Sequence, residues 1–358
     1  MESAMESADV FAPYMNARVS GMRSKLFSKQ HLEDLLNLYD VPKINDDLMQ
    51  SPYQQEMAEA LTRYSGVDAI EDAVTRNLVN SWHTLSRMCA GPLQGLVDRF
   101  LMRWDLAGVK SLLRLRHHGL DAQTGIDMLA PGPNLTVPLI KSFSELGTME
   151  ELVAALAAWK PELCGPLAEA LPEYRQQQNN LAVLEDALDR GYFVRNVVQL
   201  RPAEDEDSKM LRKLLRMEID RINVRILLQL RDGHGAADQL AARLLPSGWL
   251  NEKLLREMAA ARDAMHAIEF LAPTPYKELA EDLIAFVQAA RFSPMDRHFD
   301  KLIIKHLRHE THSHVMSFAS VMHYAWAKYN EVVNLRLIAR GAAAKLPLGK
   351  IREETMHA

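Results

Sequence analysis

A chain of 358 residues with 48% hydrophobic and 25% charged content is too apolar for a disordered protein and long enough to build two or three separate cores. Its net charge of −5 lacks the basic excess of a nucleic-acid binder, so no nucleic acid is expected among its partners. Two cysteines, Cys89 and Cys164, stand far apart in no metal-like spacing and read as small core residues of a reduced, cytosolic protein.

The opening stretch, Met1 to Ala8, is acidic and duplicated. It has no apolar run after a basic one, so it reads as a frayed end rather than a signal peptide. Helical periodicity follows. Apolar residues fall at i, i+3 and i+4 in Leu32-Leu35-Leu36, Val109-Leu112-Leu113, Leu152-Ala155-Leu156, Val224-Leu227-Leu228 and Leu335-Ile338-Ala339. Each set lies on one stripe of a helix. Alternating strand-like runs are nearly absent. Helix ends are expected at Asp40-Val41-Pro42, Ala90-Gly91-Pro92, Pro131-Gly132-Pro133, Arg201-Pro202, Pro246-Ser247-Gly248 and Phe292-Ser293-Pro294. Asp232-Gly233-His234-Gly235 reads as a helix-ending turn, and Ala203 to Asp207 as a solvated acidic loop or helix start. The longest uncharged run, Thr311 to Ala327, has 17 residues and holds three histidines. That falls short of the roughly 20 apolar residues of a membrane-spanning helix.

Three landmarks repeat along the chain. Glu71 in Ile70-Glu71-Asp72-Ala73-Val74 returns as Glu185 in Leu184-Glu185-Asp186-Ala187-Leu188, 114 residues on, and as Asp296 after 111 more. Asp105, Asp220 and Glu331 open a second trio at intervals of 115 and 111. Ser51-Pro52-Tyr53, Lys160-Pro161-Glu162 and Thr274-Pro275-Tyr276 form a third at 109 and 114. A period of about 112 residues is a whole small domain rather than a solenoid unit. The expected fold class is therefore all-α, with three similar helical modules at 11–122, 123–237 and 238–358. No Gly/Ser linker separates them, so they should pack directly. Such a protein depends more on its shape than on any single site.

The C-terminal segment Tyr329-Asn330-Glu331-Val332-Val333-Asn334-Leu335-Arg336-Leu337-Ile338-Ala339-Arg340-Gly341, with Lys345-Leu346-Pro347 and Ile351-Arg352-Glu353 behind it, resembles the closing motif of the C subunit of V/A-type ATPases (ATP synthases), the family of the V-ATPase d subunit. Tyr14 to Leu26 resembles that family's N-terminus, so the likeness covers about 11–355. The chain departs from the family pattern at Ala342, at Lys345 and at Gly108, which replaces the helical Asn of the second landmark. The resemblance implies three modules about a pseudo-threefold axis, forming a funnel. It also implies a non-catalytic central-stalk socket. One end would sit on the membrane proteolipid ring and the open end would receive the central shaft subunits of the catalytic head. The protein would then be peripheral on the cytoplasmic face, single-copy in the complex and a monomer when isolated. It would couple ATP chemistry to ion, for instance hydrogen ion, transport. Two other readings stay open: a helical scaffold of another complex, and a metal-dependent all-α enzyme.

The most repeated polar pattern is acid, Asn, base: Asp220-Asn223-Arg225 and Glu331-Asn334-Arg336, with Asp105 and Lys110 in module one. Acid and Asn at i, i+3 share a helix face. As a polar lining they make Asp220, Arg225, Glu331 and Arg336 the shaft-binding candidates. The competing and favoured reading is hydrogen bonding to neighbouring helix ends, because the same residues recur in modules that would meet different partners. His306, Glu310 and His314 have metal-ligand spacing on one helix face, but the His-Glu-x-x-His pattern is missing and a solvated polar face is the simpler reading. No phosphate-cradling P-loop and no nucleophile elbow occur. No catalytic residue, metal or cofactor is assigned, and no ATP binding is expected.

Overall fold

The structure, a computed structural model, describes residues 14–89, 91–120, 131–231, 237–288, 293–313 and 317–355. The duplicated start at Met1 to Ala8, the Asp232 to Gly235 turn and the expected boundary between residues 122 and 123 lie outside the described residues. Every regular element among those described is helical, as the periodicity requires.

The chain begins with α1 (14–23), α2 (Lys29–Leu38), α3 (Val41–Leu48), α4 (Gln54–Ala60) and α5 (Gly66–Met88), followed by α6 (Gly91–His117). Next come α7 (Val137–Ser144), α8 (Met149–Trp159), α9 (Pro161–Gln176) and α10 (Leu181–Asp189). A π turn, Arg190–Val194, carries α10 into α11 (Arg195–Gln199). Then follow α12 (Glu206–Arg231), α13 (Ala237–Arg243), α14 (Glu252–Ala260), α15 (Ala264–Glu269), α16 (Lys277–Gln288) and α17 (Ser293–Ser313). The chain closes with α18 (Phe318–Ala343) and α19 (Leu348–Glu354). The second landmark falls on α6, α12 and α18, which have nearly equal lengths of 27, 26 and 26 residues.

Short helices start where a polar side chain can satisfy the orphan N–H groups of the first turn. Ser28 accepts from His31 N–H before α2, and Asn251 accepts from Leu254 N–H before α14. Asp40 caps α3, with Pro42 in its first turn. Thr148 and Glu151 form a reciprocal capping box at α8.

The chain forms two compact units. One consists of Met1–Asp98 with Ile304–Ala358, so it joins the two ends of the sequence. Its helix α18 lies against α5. Most of α18 is buried from Phe318 to Ala342, and it also contacts α2 and α3. The other unit is Arg99–Ile303. Its α8, α9 and α10 pack in sequence, and α12 contacts α13, α14 and α15. A single cluster around Val224, Leu255, Ile268, Tyr276, Leu283 and Phe299 ties α12 to α14–α17. Cys89 and Cys164 are both free and buried, and burial pushes both thiols up, Cys89 to about 11 and Cys164 to about 12.

Candidate functional site

The acidic members of the repeated constellation are buried. Asp105 and Asp220 are 0% exposed and Glu331 is 5% exposed. A carboxylate removed from water must fill its lone pairs with donors. Each of the three draws on the backbone N–H groups of a loop.

Asp105 on α6 accepts from the backbone N–H groups of Asn134 and Leu135, both at 2.9 Å, and from the Asn134 side chain at 2.7 Å. Lys160 Nζ, in the third landmark, stands 3.9 Å away. Asp220 on α12 accepts from Trp249 N–H at 2.9 Å and Leu250 N–H at 3.2 Å, and takes the Tyr276 hydroxyl at 2.7 Å. Glu331 on α18 accepts from Phe27 N–H, from the Tyr53 hydroxyl at 2.6 Å and from Lys328 Nζ at 2.9 Å. In every case one donor set is a loop that leads into a short helix; the third landmark adds a tyrosine hydroxyl at Asp220 and Glu331 and the Lys160 charge at Asp105, and Glu331 also takes Lys328 of its own helix. The carboxylate therefore latches three segments together: a long helix, a loop and a proline turn.

The proline turns repeat in detail. Ser51 Oγ donates to Leu48 C=O and accepts from Tyr53 N–H. Thr274 Oγ1 donates to Leu271 C=O and accepts from Tyr276 N–H. These bonds hold each tyrosine over its carboxylate. Two glycines complete the latches. A Cβ on Gly132 or on Gly248 would come 2.1 Å from the Asp105 or Asp220 Oδ1, so neither loop tolerates a side chain there.

The electrostatics follow from burial. It pushes Asp220 up to about 6, against the opposing pull of the Tyr276 hydroxyl, the two loop N–H groups and the charge of Arg216. Burial raises Asp105 too, opposed by Asn134, Leu135 and Lys160. Burial raises the Tyr276 hydroxyl, and the Asp220 charge adds to it. Lys328 is lowered by burial, while Glu331 partly restores it.

The Asn and basic members have other roles. Asn223 exchanges two hydrogen bonds with the backbone of Leu245, at 2.9 and 2.7 Å. Asn334 is likewise buried. Arg225 keeps 45% of its side chain exposed and pairs with Asp296 at 3.3 Å. Arg336 is partly buried and donates to Thr75 Oγ1.

These basic residues belong to a second recurring set, between helices. Arg114 grips Glu185 with two bonds, at 2.6 and 3.0 Å, and Lys110 pairs with Asp189 at 2.5 Å. Arg221 pairs with Asp300 at 3.2 Å beside the Arg225–Asp296 pair. Arg340 grips Glu71, one of its two bonds measuring 2.7 Å. Each first-landmark acid (Glu71, Glu185, Asp296) thus holds a base from a second-landmark helix. The helix always comes from the preceding third of the sequence, and the last third serves the first.

No arrangement for catalysis emerges among the described residues. The buried carboxylates have their oxygens turned to structural donors and face no nucleophile. His306 Nε2 lies 3.4 Å from Glu310 Oε1, both half-buried, and His309 is exposed. His314 falls outside the described residues, and among those described no three His, Cys, Asp or Glu side chains form a metal-holding group. Sequence reasoning passed over Tyr53, Tyr276, Gly132, Gly248 and Thr75. The two tyrosines were visible as the last residues of a repeated Ser/Thr-Pro-Tyr turn. The two glycines were visible only as members of the helix-ending Pro131-Gly132-Pro133 and Pro246-Ser247-Gly248 turns, and nothing marked Thr75.

Residues 15–354 match the family model described as ATP synthase (C/AC39) subunit. The chain belongs to that family. Among curated relatives, it is 28% identical over 352 residues to the C subunit of the A-type ATP synthase of Methanococcoides burtonii, covering 95% of this chain and 93% of that one. It is 29% identical to the corresponding A-type ATP synthase protein of Methanosarcina acetivorans, over 95% and 91% of the two chains. With that of Haloquadratum walsbyi it shares 28% over 96% and 97%. As a member of the C/AC39 family this is an accessory subunit of a rotary ATPase and not its catalytic one. Among the described residues no helix is long and apolar enough to cross a membrane.

Proposed function

We propose that this chain is the central-stalk socket of its rotary ATPase. It receives the central shaft subunits of the catalytic head, rests on the membrane proteolipid ring from the cytoplasmic side, and passes torque between them during ion transport. Three similar modules at 11–122, 123–237 and 238–358, set about a pseudo-threefold axis as a funnel, make the socket. One copy serves each complex, and the isolated protein is a monomer. The observation that carries this reading is the family match along 15–354.

The latches support it physically. A torque-bearing part must not yield, and buried carboxylates that tie loop, helix and proline turn together remove local freedom. In this reading Asp220 and Glu331 hold the walls of the socket. The basic residues Arg225 and Arg336 contribute the polar part of a mixed contact with the shaft. A mixed contact suits parts that must separate under regulation, since obligate interfaces are the more apolar class.

Reconstitution tests the proposal. The purified chain should bridge isolated shaft subunits and proteolipid rings in one sedimenting complex. It should also restore ATP-driven ion pumping to a complex assembled without it. A chain that binds neither component would overturn the socket reading.

A further inference from the structure

The equivalence among the cross-helix pairs breaks at one position. Lys110 has Asp189 at 2.5 Å, and Asp300, 111 residues beyond Asp189, has Arg221 at 3.2 Å. The matching position 114 residues before Asp189 is Thr75. Arg336, the counterpart of Lys110 and Arg225, therefore meets a hydroxyl where the other copies supply a carboxylate. Glu71, the acid whose charge acts on Arg336, is held by Nε and Nη2 of Arg340. Arg336 Nε is sealed from solvent and has no acceptor among the described residues. Burial lowers Arg336 from the usual arginine range, and Arg340 adds repulsion while Glu71 opposes both. A guanidinium stays charged even so. The protein thus keeps a largely desolvated cation with a neutral partner, where its own repeat provides an anion twice over.

We propose that Arg336 is an anion-receiving site completed by a carboxylate side chain of a partner protein, which does for Arg336 what Asp189 does for Lys110 and Asp296 for Arg225. The inference rests on the reading of this chain as a shaft-binding subunit, and the partner it names is the shaft. A carboxylate fits because it can take parallel N–H bonds from the guanidinium fork, whereas the Thr75 hydroxyl takes one. Access is available, since the residue is only partly buried. The device also makes binding and stability interdependent. The isolated protein carries an unneutralised charge, and the assembled one does not.

Two variants test it. Thr75→Asp supplies the missing carboxylate from within. It should raise the thermal midpoint of the isolated protein and weaken shaft binding, measured by calorimetry, by about tenfold or more, the loss expected for one charge-assisted pair. Arg336→Gln keeps a donor for Thr75 and removes the charge. It should leave the midpoint at or above the wild-type value and weaken shaft binding to the same extent. Shaft affinity unchanged in Arg336→Gln overturns the inference, whether or not Thr75→Asp folds. Stabilisation of the wild type by inorganic phosphate, lost in Arg336→Gln while shaft binding is unaltered, overturns it in favour of a small free anion. Wild-type protein that binds no shaft subunit sinks the socket reading itself, and this inference with it.

Discussion

Asp220 sits in a place that would normally reject an ionised carboxylate, and its neighbours only partly compensate. Its folded value of about 6 lies above the ordinary 3.8, so the folded protein holds that proton more tightly than the unfolded chain does. The stability it contributes is therefore full below about pH 4 and lost as the pH rises through about 6. At 1.36 kcal/mol per unit this amounts to about 3 kcal/mol. Asp220→Asn cannot titrate and stands in for the protonated form. Urea unfolding at several pH values should show the wild type losing about 3 kcal/mol more than the variant between pH 4 and pH 7. Parallel curves for the two proteins would show that the latch stays uncharged or fully compensated throughout. Asp300, also pushed up to about 6 by burial, adds a slope of the same sign to both proteins and cancels in the comparison.

Between elements, the charges sit where helices cross. Glu218 on α12, 1% exposed, takes Arg103 of α6 at 3.0 Å with one oxygen and Arg221 of its own helix at 2.6 Å with the other. Arg221 in turn reaches Asp300 on α17. One buried acid thus joins three helices. Glu218→Ala should cost about 3–5 kcal/mol, because it takes a buried carboxylate away from two half-buried cations. Replacing Glu218 and Arg103 together by Met should recover most of that loss in urea unfolding, since the apolar pair leaves less charge unmatched. If the single variant costs under about 1 kcal/mol, the network is no more than a surface pair. The crossings also show a limit of counting by period. Lys110 takes Asp189, which by the repeat would give Asp300 to Arg225. Arg221 holds Asp300 instead, and Arg225 turns to Asp296.

Across the whole molecule the two ends of the chain make one unit. Helix α5 depends on α18, more than 200 residues away in sequence, for both its apolar cover and the partner of Glu71. Truncation after Ile303 should leave the amides of α5 exchanging freely, while those of α8–α10 keep their protection in hydrogen-exchange measurements. Protection of α5 without α18 would mean that the N-terminal helices form a core by themselves. The helical class, the three landmarks and the acid–Asn–base pattern were all legible in the sequence, because helical periodicity and internal repetition are properties of short stretches of chain. The acid at each second landmark and the proline turn were likewise visible as recurring residues. Their meeting was not. Glu331 lies 278 residues from Tyr53 and Asp220 lies 56 residues from Tyr276, and no local pattern states which loop a buried carboxylate will close. The same holds for the pairing of each long helix with the following third of the chain, and for Thr75 standing under Arg336. Local chemistry along the chain sets which segments are helices and which residues recur. Which of those residues turn inward, and against what, emerges only on folding, because it depends on burying apolar faces and satisfying polar groups across distant parts of the chain at once.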